Sequence, residues 1–477
     1  MSTQPNIILI LTDDHGAWAL GCYGNTELQT PAMDRLAAQG VRFTNALTPS
    51  PVCSPARACL LTGRTPSQVG IHDWLQEAHE EIANHNWLAD EITLPQILGK
   101  AGYYCALSGK WHLGGSHQTP PGFDDTFGLP GSQGAHNTPY TYVLNNEPLE
   151  LQGNKSQHIT DHAIDFLKQA PQDKPFFLNV GYIATHSPYE AKTHDPKMTE
   201  LYDEATFADI PPYHPHPWHQ NEGLQGGHNA SPQDVRSRYQ GYYAAVTEID
   251  QNLQRIIDHL EQTNQLDNTI IIYTSDHGCA LGHQGFWGKG NSTRPLNMHE
   301  VSLKVPLLIR HPKSIATGHV EDRAVDHYDT FKAICQWAGA DLSTNEYADR
   351  AYPGTSYAPM IQPTPDPSFE WDQTKYGEYG DLRMIRTPQY KYVKRYPTGP
   401  YDLFNLKEDA NETLNHAGWA HEADMQQQLD TQLTQWYRQH ETAQHTGLKV
   451  KQARQHNHGC EAWRDGRREA RGLQVYD

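Results

Sequence analysis

The sequence predicts an α/β fold: a large central, mostly parallel sheet sandwiched by helices, followed by a smaller C-terminal α+β subdomain. Three observations predict it. Short, nearly continuous apolar runs at 6–12, 103–108, 176–184, 269–275 and 305–310 have the length of parallel strands buried on both faces. Helical patterns lie between them, the alternation that marks α/β folds. From about Asp341 to Asp372 the chain turns rich in Pro, Ser, Thr and Asp, and the segments beyond it are shorter and differently patterned.

The first strand, 6–12, is followed at once by Asp13-Asp14. Helices are expected at 31–38, 55–61, 159–169 and 329–337. The clearest helix begins at Ser231-Pro232-Gln233-Asp234, with a cap residue, a first-turn proline and an acid three on from the cap. Tyr239, Tyr242, Tyr243, Val246, Ile249, Leu253, Ile256, Ile257 and Leu260 then recur at helical spacing, and the helix leads into the strand at Thr269. The stretch 211–228, rich in Pro, His and Gly, is a long loop by composition. Beyond the boundary, 375–378, 384–386 and 390–395 read as antiparallel strands and 425–440 as a helix. The domains are placed at 1–350, 351–440 and 441–477. The polar, slightly basic last segment packs on the body or on a neighbouring subunit, where it would support an oligomer.

A chain of 477 residues is long for a single small core. Its 37% hydrophobic and 19% charged residues suit a soluble globular protein. No apolar run approaches the roughly 18 residues of a membrane-spanning helix. A formal charge of −19 argues against a nucleic-acid partner, and it requires an anionic substrate to be met by locally concentrated positive charge. The seven cysteines are scattered, odd in number and lack metal-ligand spacing, so no disulfide framework is expected. The start, Met-Ser-Thr-Gln-Pro-Asn, has no basic n-region. The expected location is therefore cytoplasmic, or periplasmic or secreted if a signal has been removed.

The chemistry-bearing residues sit where ligands bind in open α/β sheets, beyond the carboxyl ends of the strands. Asp13 and Asp14 follow the first strand, Lys110 and His112 the second, His186 the third, and Asp276 and His277 the fourth. Asp13 alone would be read as a helix cap. Two acids after one buried strand, matched by Asp276-His277 after another, read as a hard-cation site. Oxygen-rich ligation favours Ca²⁺ or Mg²⁺, and the larger Ca²⁺ shell better tolerates adjacent carboxylates. Cys53, in Pro51-Val52-Cys53-Ser54-Pro55-Ala56-Arg57, lies just before an expected helix N-terminus that favours an anion, with Arg57 one turn on. By position it is either a buried structural cysteine or a thiolate nucleophile. Soft sulfur matches Ca²⁺ poorly, so the working group is read as something other than a thiolate.

Cys53-Ser54-Pro55-Ala56-Arg57, followed by Leu61-Thr62-Gly63-Arg64, resembles the signature of the formylglycine-dependent (type I) sulfatases of the alkaline phosphatase superfamily. The paired acids of 6–14, Gly109-Lys110-Trp111-His112, Thr185-His186-Ser187-Pro188, Ser275-Asp276-His277-Gly278 and Trp287-Gly288-Lys289 resemble further motifs of that family. The likeness runs from about residue 5 to residue 415. It implies that a formylglycine-generating enzyme oxidises Cys53 to formylglycine during maturation, whose hydrate offers an oxygen nucleophile and ligand. It further implies that Asp13, Asp14, residue 53, Asp276 and His277 hold the metal. Lys110, His186 and Lys289 would contact the sulfate, with His186 or Lys289 protonating the leaving oxygen. His112 would serve as base in the second step, and Arg57 would position the nucleophile.

The expected substrate is a small sulfated molecule, read as a saccharide from the aromatics and histidines of the presumed loops. Two departures bear on substrate contacts: Leu281-Gly282-His283-Gln284-Gly285, where the family often places an acid and a histidine, and Met298-His299-Glu300, where an aromatic–acid–acid run is common. Other readings of the same residues are a phosphonate or phosphate ester hydrolase of this superfamily, and a catalytically inactive sulfated-glycan binding protein.

Overall fold

The apolar run after Pro5 forms strand β1 (Asn6–Thr12), buried at every position and central in a ten-stranded sheet. The computed structural model describes residues 4–115, 119–130, 136, 138–211, 216–219, 231–366, 368–459 and 461–464. The other strands of this sheet are β2 (Val41–Phe43), β3 (Tyr104–Gly109), β4 (Asp125–Gly128), β5 (Tyr140–Leu144), β6 (Glu147–Leu151), β7 (Phe176–Gly181), β8 (Thr269–Ser275), β9 (Leu307–Arg310) and β10 (His319–Glu321). Their order is β10-β2-β9-β8-β1-β7-β3-β4-β5-β6, and the five strands from β8 to β4 run parallel.

Strand residues alternate between two cores, as the two-residue pleat requires. Ile7, Leu9 and Leu11 face helices α2 (Cys53–Thr62), α3 (Leu94–Lys100) and α6 (His327–Trp337). Ile8 and Ile10 face α1 (Pro31–Gln39), α4 (Lys155–Gln169) and the 31-residue α5 (Pro232–Gln262). The Ser231–Asp234 capping box opens α5: Ser231 Oγ accepts from Asp234 N at 3.1 Å, and Asp234 Oδ2 from Ser231 N at 3.3 Å. Helix α4 starts four residues before its apolar pattern because Asn154 caps it, accepting from Gln157 N at 3.0 Å.

The run at 305–310 does not form a parallel strand. β9 is antiparallel to both β8 and β2. The reason lies in its connection. A parallel neighbour needs a crossover to the opposite sheet edge. The chain from 276 to 306 makes only single turns of helix, stays at the carboxyl edge of the parallel strands, and re-enters the sheet from there. The third run also ends earlier, at Gly181, so His186 emerges after a short loop.

A second, four-stranded antiparallel sheet follows: β11 (Lys375–Tyr379), β12 (Leu382–Arg386), β13 (Tyr390–Arg395) and β14 (Asp402–Asn405). Helix α7 (Ala423–Gln439) covers one face through Leu429, Leu433 and Tyr437. The other face packs on Leu47, Val52, Leu296, Met298 and Leu303. Buried Glu300 pins this sheet to the body, accepting from Arg386 (Nη2–Oε2 3.2 Å) and Lys391 (Nζ–Oε1 3.3 Å). Burial alone would raise the Glu300 carboxyl; Arg386, Lys391 and Lys304 override it and hold the group far below the usual carboxylate range.

A folded-state pKa below the unfolded one contributes stability above about pH 4.3, which is lost as pH falls from there. Glu300→Gln should therefore cost about 3 kcal/mol at pH 7. The gap to wild type should narrow below about pH 4, checked by urea unfolding at several pH values. An equal gap at acid pH would contradict the assignment.

Residues 442–464, so far as described, fold back over the body between 65 and 77. Among the described residues, no helix is long and apolar enough to cross a membrane.

Candidate active site

Register brings the site together. Thr12 pairs with Ser275, Leu11 with Gly181, and Gly181 with Gly109. The residues that follow these strands, Asp13, Asp276 and Lys110, therefore leave the sheet at one level. Gly109 has φ +115°, and a Cβ there would lie 2.1 Å from Gly181 O, so only glycine allows β3 and β7 to turn out this close together.

Cys53 is the first residue of α2, not the residue before it; Val52 is the cap. Pro55 is tolerated because the first turn needs no intrahelical acceptors for its N–H groups. The buried Sγ accepts from Lys289 Nζ at 3.2 Å and lies 3.4 Å from His277 Nε2. Burial and Asp13 would raise the thiol, but Lys110, Lys289 and His277 bring it down to about 6.

Ligand atoms of Asp13, Cys53, Asp276 and His277 lie within 4.8 Å of one another, as do those of Asp13, Asp14, Cys53 and His186. His277 Nδ1 donates to Gly278 O at 2.9 Å, and Nε2 lies by Asp14 Oδ1 (3.2 Å), Asp276 Oδ1 (3.5 Å) and Asp13 Oδ1 (3.8 Å). Burial would lower the imidazole, but Asp276 and Asp14 push it up to about 9, so a cation would take the place of the proton on Nε2. Asp13 Oδ1 is buried without a hydrogen-bond partner among the described residues. Three carboxylates and a preset imidazole, one oxygen unclaimed, fit a hard divalent cation.

Basic groups pack against these acids. Lys110 pairs with Asp13 Oδ2, and Lys289 Nζ donates to Asp14 Oδ1 at 2.6 Å. Burial would raise the Asp13 carboxyl; Lys110, His186, Lys289 and Arg57 outweigh it and hold it well below the usual range. Arg57 does not reach Cys53 by a hydrogen bond. It donates from Nε to Asp276 Oδ2 (2.8 Å) and from Nη1 to Lys110 O (3.0 Å), so it ties two strand ends together. Lys110, Lys289 and Arg57 thus offset the three carboxylates, so a bound divalent cation would leave the site positive within an acidic protein.

His112 stands outside both ligand groups. Its ring is buried, Nε2 donates to Leu75 O at 2.8 Å, and Nδ1 has no partner among the described residues. Burial, with Lys110 beside it, lowers the imidazole to about 3. His186 is partly exposed, its Nδ1 donating to Ser187 O at 3.0 Å.

Sequence reasoning missed the groups that hold Asp14. Its backbone is left-handed, at φ +63°. Thr185 Oγ1 and Tyr242 OH each donate to Asp14 O at 2.8 Å, and Tyr189 OH donates to Asp14 Oδ2 at 3.1 Å. Tyr242 belongs to the apolar stripe of α5 and carries no signal of its own. Tyr189, three residues after His186, offers only proximity. Tyr189→Phe should weaken divalent-cation affinity about tenfold with the fold intact, checked by calorimetric titration. Unchanged affinity would remove Tyr189 from the site.

Of the other histidines, His283 Nδ1 accepts from Leu281 N and its ring rests on Trp18, while His219 pairs with Thr293. His299 faces Glu412 and Glu300 anchors the second sheet, so the departure at 298–300 forms part of a structural joint. His214, His228 and Cys460 lie outside the described residues.

Comparison with known proteins shows the family to which this fold belongs. The sulfatase family model matches residues 5–340, and a model for the C-terminal region of N-sulphoglucosamine sulphohydrolase matches 294–439. An N-acetylglucosamine-6-O-sulfatase of Bacteroides thetaiotaomicron is 27% identical, over 92% of this chain and 87% of its own. An ulvan-active sulfatase of Formosa agariphila is 30% identical, over 90% and 80%. A solved structure of a protein in complex with its substrate D-glucosamine-2-N,6-O-disulfate superposes with a TM-score of 0.76 at 25% identity, covering 92% of this chain and 98% of that one. The phosphonate monoester hydrolase of Agrobacterium radiobacter shares the fold, with a TM-score of 0.69 at 21% identity over 92% and 96%. The chain belongs to the sulfatase family.

Proposed function

We propose that this sulfatase acts on a sulfated carbohydrate, with residue 53 as nucleophile after its oxidation to formylglycine and Ca²⁺ as resident cation. Mg²⁺ is the other hard ion that the ligand set accepts. The observation that carries the reading is the convergence of Asp13, Asp14, Asp276 and His277 on residue 53, with Lys110 and Lys289 in the same pocket. The names of the relatives support a sulfated saccharide and put 6-O-sulfated hexosamines first among compounds to test.

When present, the cation supplies Lewis acidity and the formylglycine an oxygen in place of sulfur. The chain's own residues do the rest. Lys110 and Lys289 neutralise sulfate oxygens, the electrostatic contribution that is usually largest. His186, which is partly exposed, gives a proton to the leaving oxygen in this reading, a role Lys289 could also fill. His112 accepts a proton at Nδ1, because Leu75 O occupies Nε2–H. Arg57 keeps Asp276 and the Lys110 loop in register.

The test uses protein matured by a formylglycine-generating enzyme. Sulfate release is measured over a panel of sulfated mono- and oligosaccharides, alongside aryl sulfate, phosphate and phosphonate esters. Sulfate release with preference for the aryl sulfate is expected. Preference for phosphonate or phosphate would favour the other ester chemistry, and binding of sulfated sugars without release would mean an inactive scaffold.

A further inference from the structure

The segment after 440 lies beyond both family matches, yet it is tied into the ground under the catalytic residues. His456 and Asn457 are buried. His456 Nε2 accepts from His72 N at 3.0 Å, Asn457 Nδ2 donates to Trp74 O at 3.2 Å, and His456 O accepts from Gln76 N at 2.9 Å. These bonds flank Leu75. Leu75 itself points the other way: its N–H donates to Ser54 Oγ at 3.0 Å, next to residue 53, and its carbonyl accepts from His112 Nε2 at 2.8 Å. Glu77, just beyond, accepts from Gly114 N at 3.0 Å, on the loop that carries His112. One strip of backbone is thus held by the C-terminal segment on one side and holds the site on the other.

His456 is itself fixed. Its Nδ1 faces Glu461 Oε1 at 3.0 Å, its backbone N–H donates to the same oxygen at 2.6 Å, and its ring stacks on Trp87 with centroids 5.0 Å apart. Nε2 lies between His72 N and Gly70 O (3.1 Å): with Nδ1–H given to the carboxylate, the neutral ring accepts from His72 N and the charged ring donates to Gly70 O, and either bond ties His456 to the backbone at 70–72. A solvated tail would make none of these contacts.

We infer that the C-terminal segment, through His456 and Asn457, is a positioning element for catalysis: by clamping 72–76 it holds the Leu75 carbonyl that sets the tautomer and direction of His112. The inference rests on the reading of His112 as a base. The physical need is plain. A buried imidazole can accept a proton at Nδ1 only while Nε2 carries the hydrogen, and the Leu75 carbonyl enforces that choice.

The experiment compares His456→Ala, Asn457→Ala and His112→Ala in the full-length protein. The first readout needs no turnover: imidazole ¹⁵N spectra of ¹⁵N-histidine protein, with His112 assigned by its loss in His112→Ala. Wild type should show a single Nε2–H tautomer for His112, and the two clamp variants a mixture. The second is steady-state kinetics of the matured enzyme. The clamp variants should lose about tenfold in kcat, with KM for an aryl sulfate within about twofold, since sulfate-binding Lys110 and Lys289 are untouched. An unchanged His112 signal, or a kcat loss no larger than the loss of folded protein, would overturn the inference. Should His456→Ala fail to fold, Asn457→Ala, which removes one amide and leaves the His456–Glu461 pair intact, decides it by the same measures. Full turnover in His112→Ala would instead refute the base assignment, a failure that His112→Ala alone reveals.

Discussion

Cys53→Ala is expected to lower turnover by at least about four orders of magnitude while leaving a folded protein. The two halves of that expectation have separate causes. Catalysis is lost because the basic and metal-ligating groups converge on this side chain: Lys289 Nζ is 3.2 Å from Sγ, His277 Nε2 3.4 Å, and Asp13, Asp14 and Asp276 lie around it. Without a nucleophile they can only bind the ester. The fold survives because Cys53 is the first residue of α2, where Val52 and the backbone, not Sγ, start the helix. Removing one buried atom costs about 1 kcal/mol, or on the order of 1 °C in Tm for a chain of this length. Cys53→Ser should be equally inactive: it offers one hydroxyl where the formylglycine hydrate has two, and His112 has no second proton to take. Turnover within tenfold of wild type in either variant would overturn the role of residue 53. The measurements are aryl sulfate kinetics and thermal unfolding.

Chelation is expected to remove at least about 10³-fold of the activity, because several kcal/mol of Lewis-acid stabilisation converts at about 1.4 kcal/mol per tenfold. The ligand set adds a second reason. Lys110 and Lys289 pair with Asp13 and Asp14. A cation that competes for those carboxylates frees both ammonium groups for sulfate, so chelation should disable the lysines as well. Ca²⁺ should restore turnover and raise Tm. At a free concentration about 100 times Kd the folded state gains about 2.7 kcal/mol. Asp13→Asn, which removes the carboxylate holding the unclaimed oxygen, should lose that response to Ca²⁺. Full activity after exhaustive chelation would sink the metal reading; restoration by Mg²⁺ but not Ca²⁺ would change the ion only.

Much of the architecture was legible along the chain. The apolar runs at 6–12 and 269–275 match their strands end to end, since a strand buried on both faces is apolar at nearly every position. The capping box at Ser231 marked the start of α5. Short strands such as β2, β4, β6 and β10 escaped, because three to five residues with polar or glycine positions carry no periodic signal. The direction of β9 escaped for another reason: an apolar run specifies burial, not polarity.

The site divides the same way. Cys53, the Asp pairs, Lys110, His112, His186 and Lys289 could be named because each sits in a short local motif after a strand or at a helix start. What local sequence could not contain is which distant backbone atom each one meets. That Tyr189 and Tyr242 hold Asp14, that Arg57 bonds Asp276 and the Lys110 carbonyl, and that a histidine at 456 steadies the peptide beneath His112 are matters of packing. Residue types and spacing determined the chemistry available to this protein, because strand ends and helix starts are encoded within a few residues. The tertiary structure alone decided which of those groups are aimed, and by what, because hydrogen bonds spanning hundreds of residues exist only once both partners have been brought to one place.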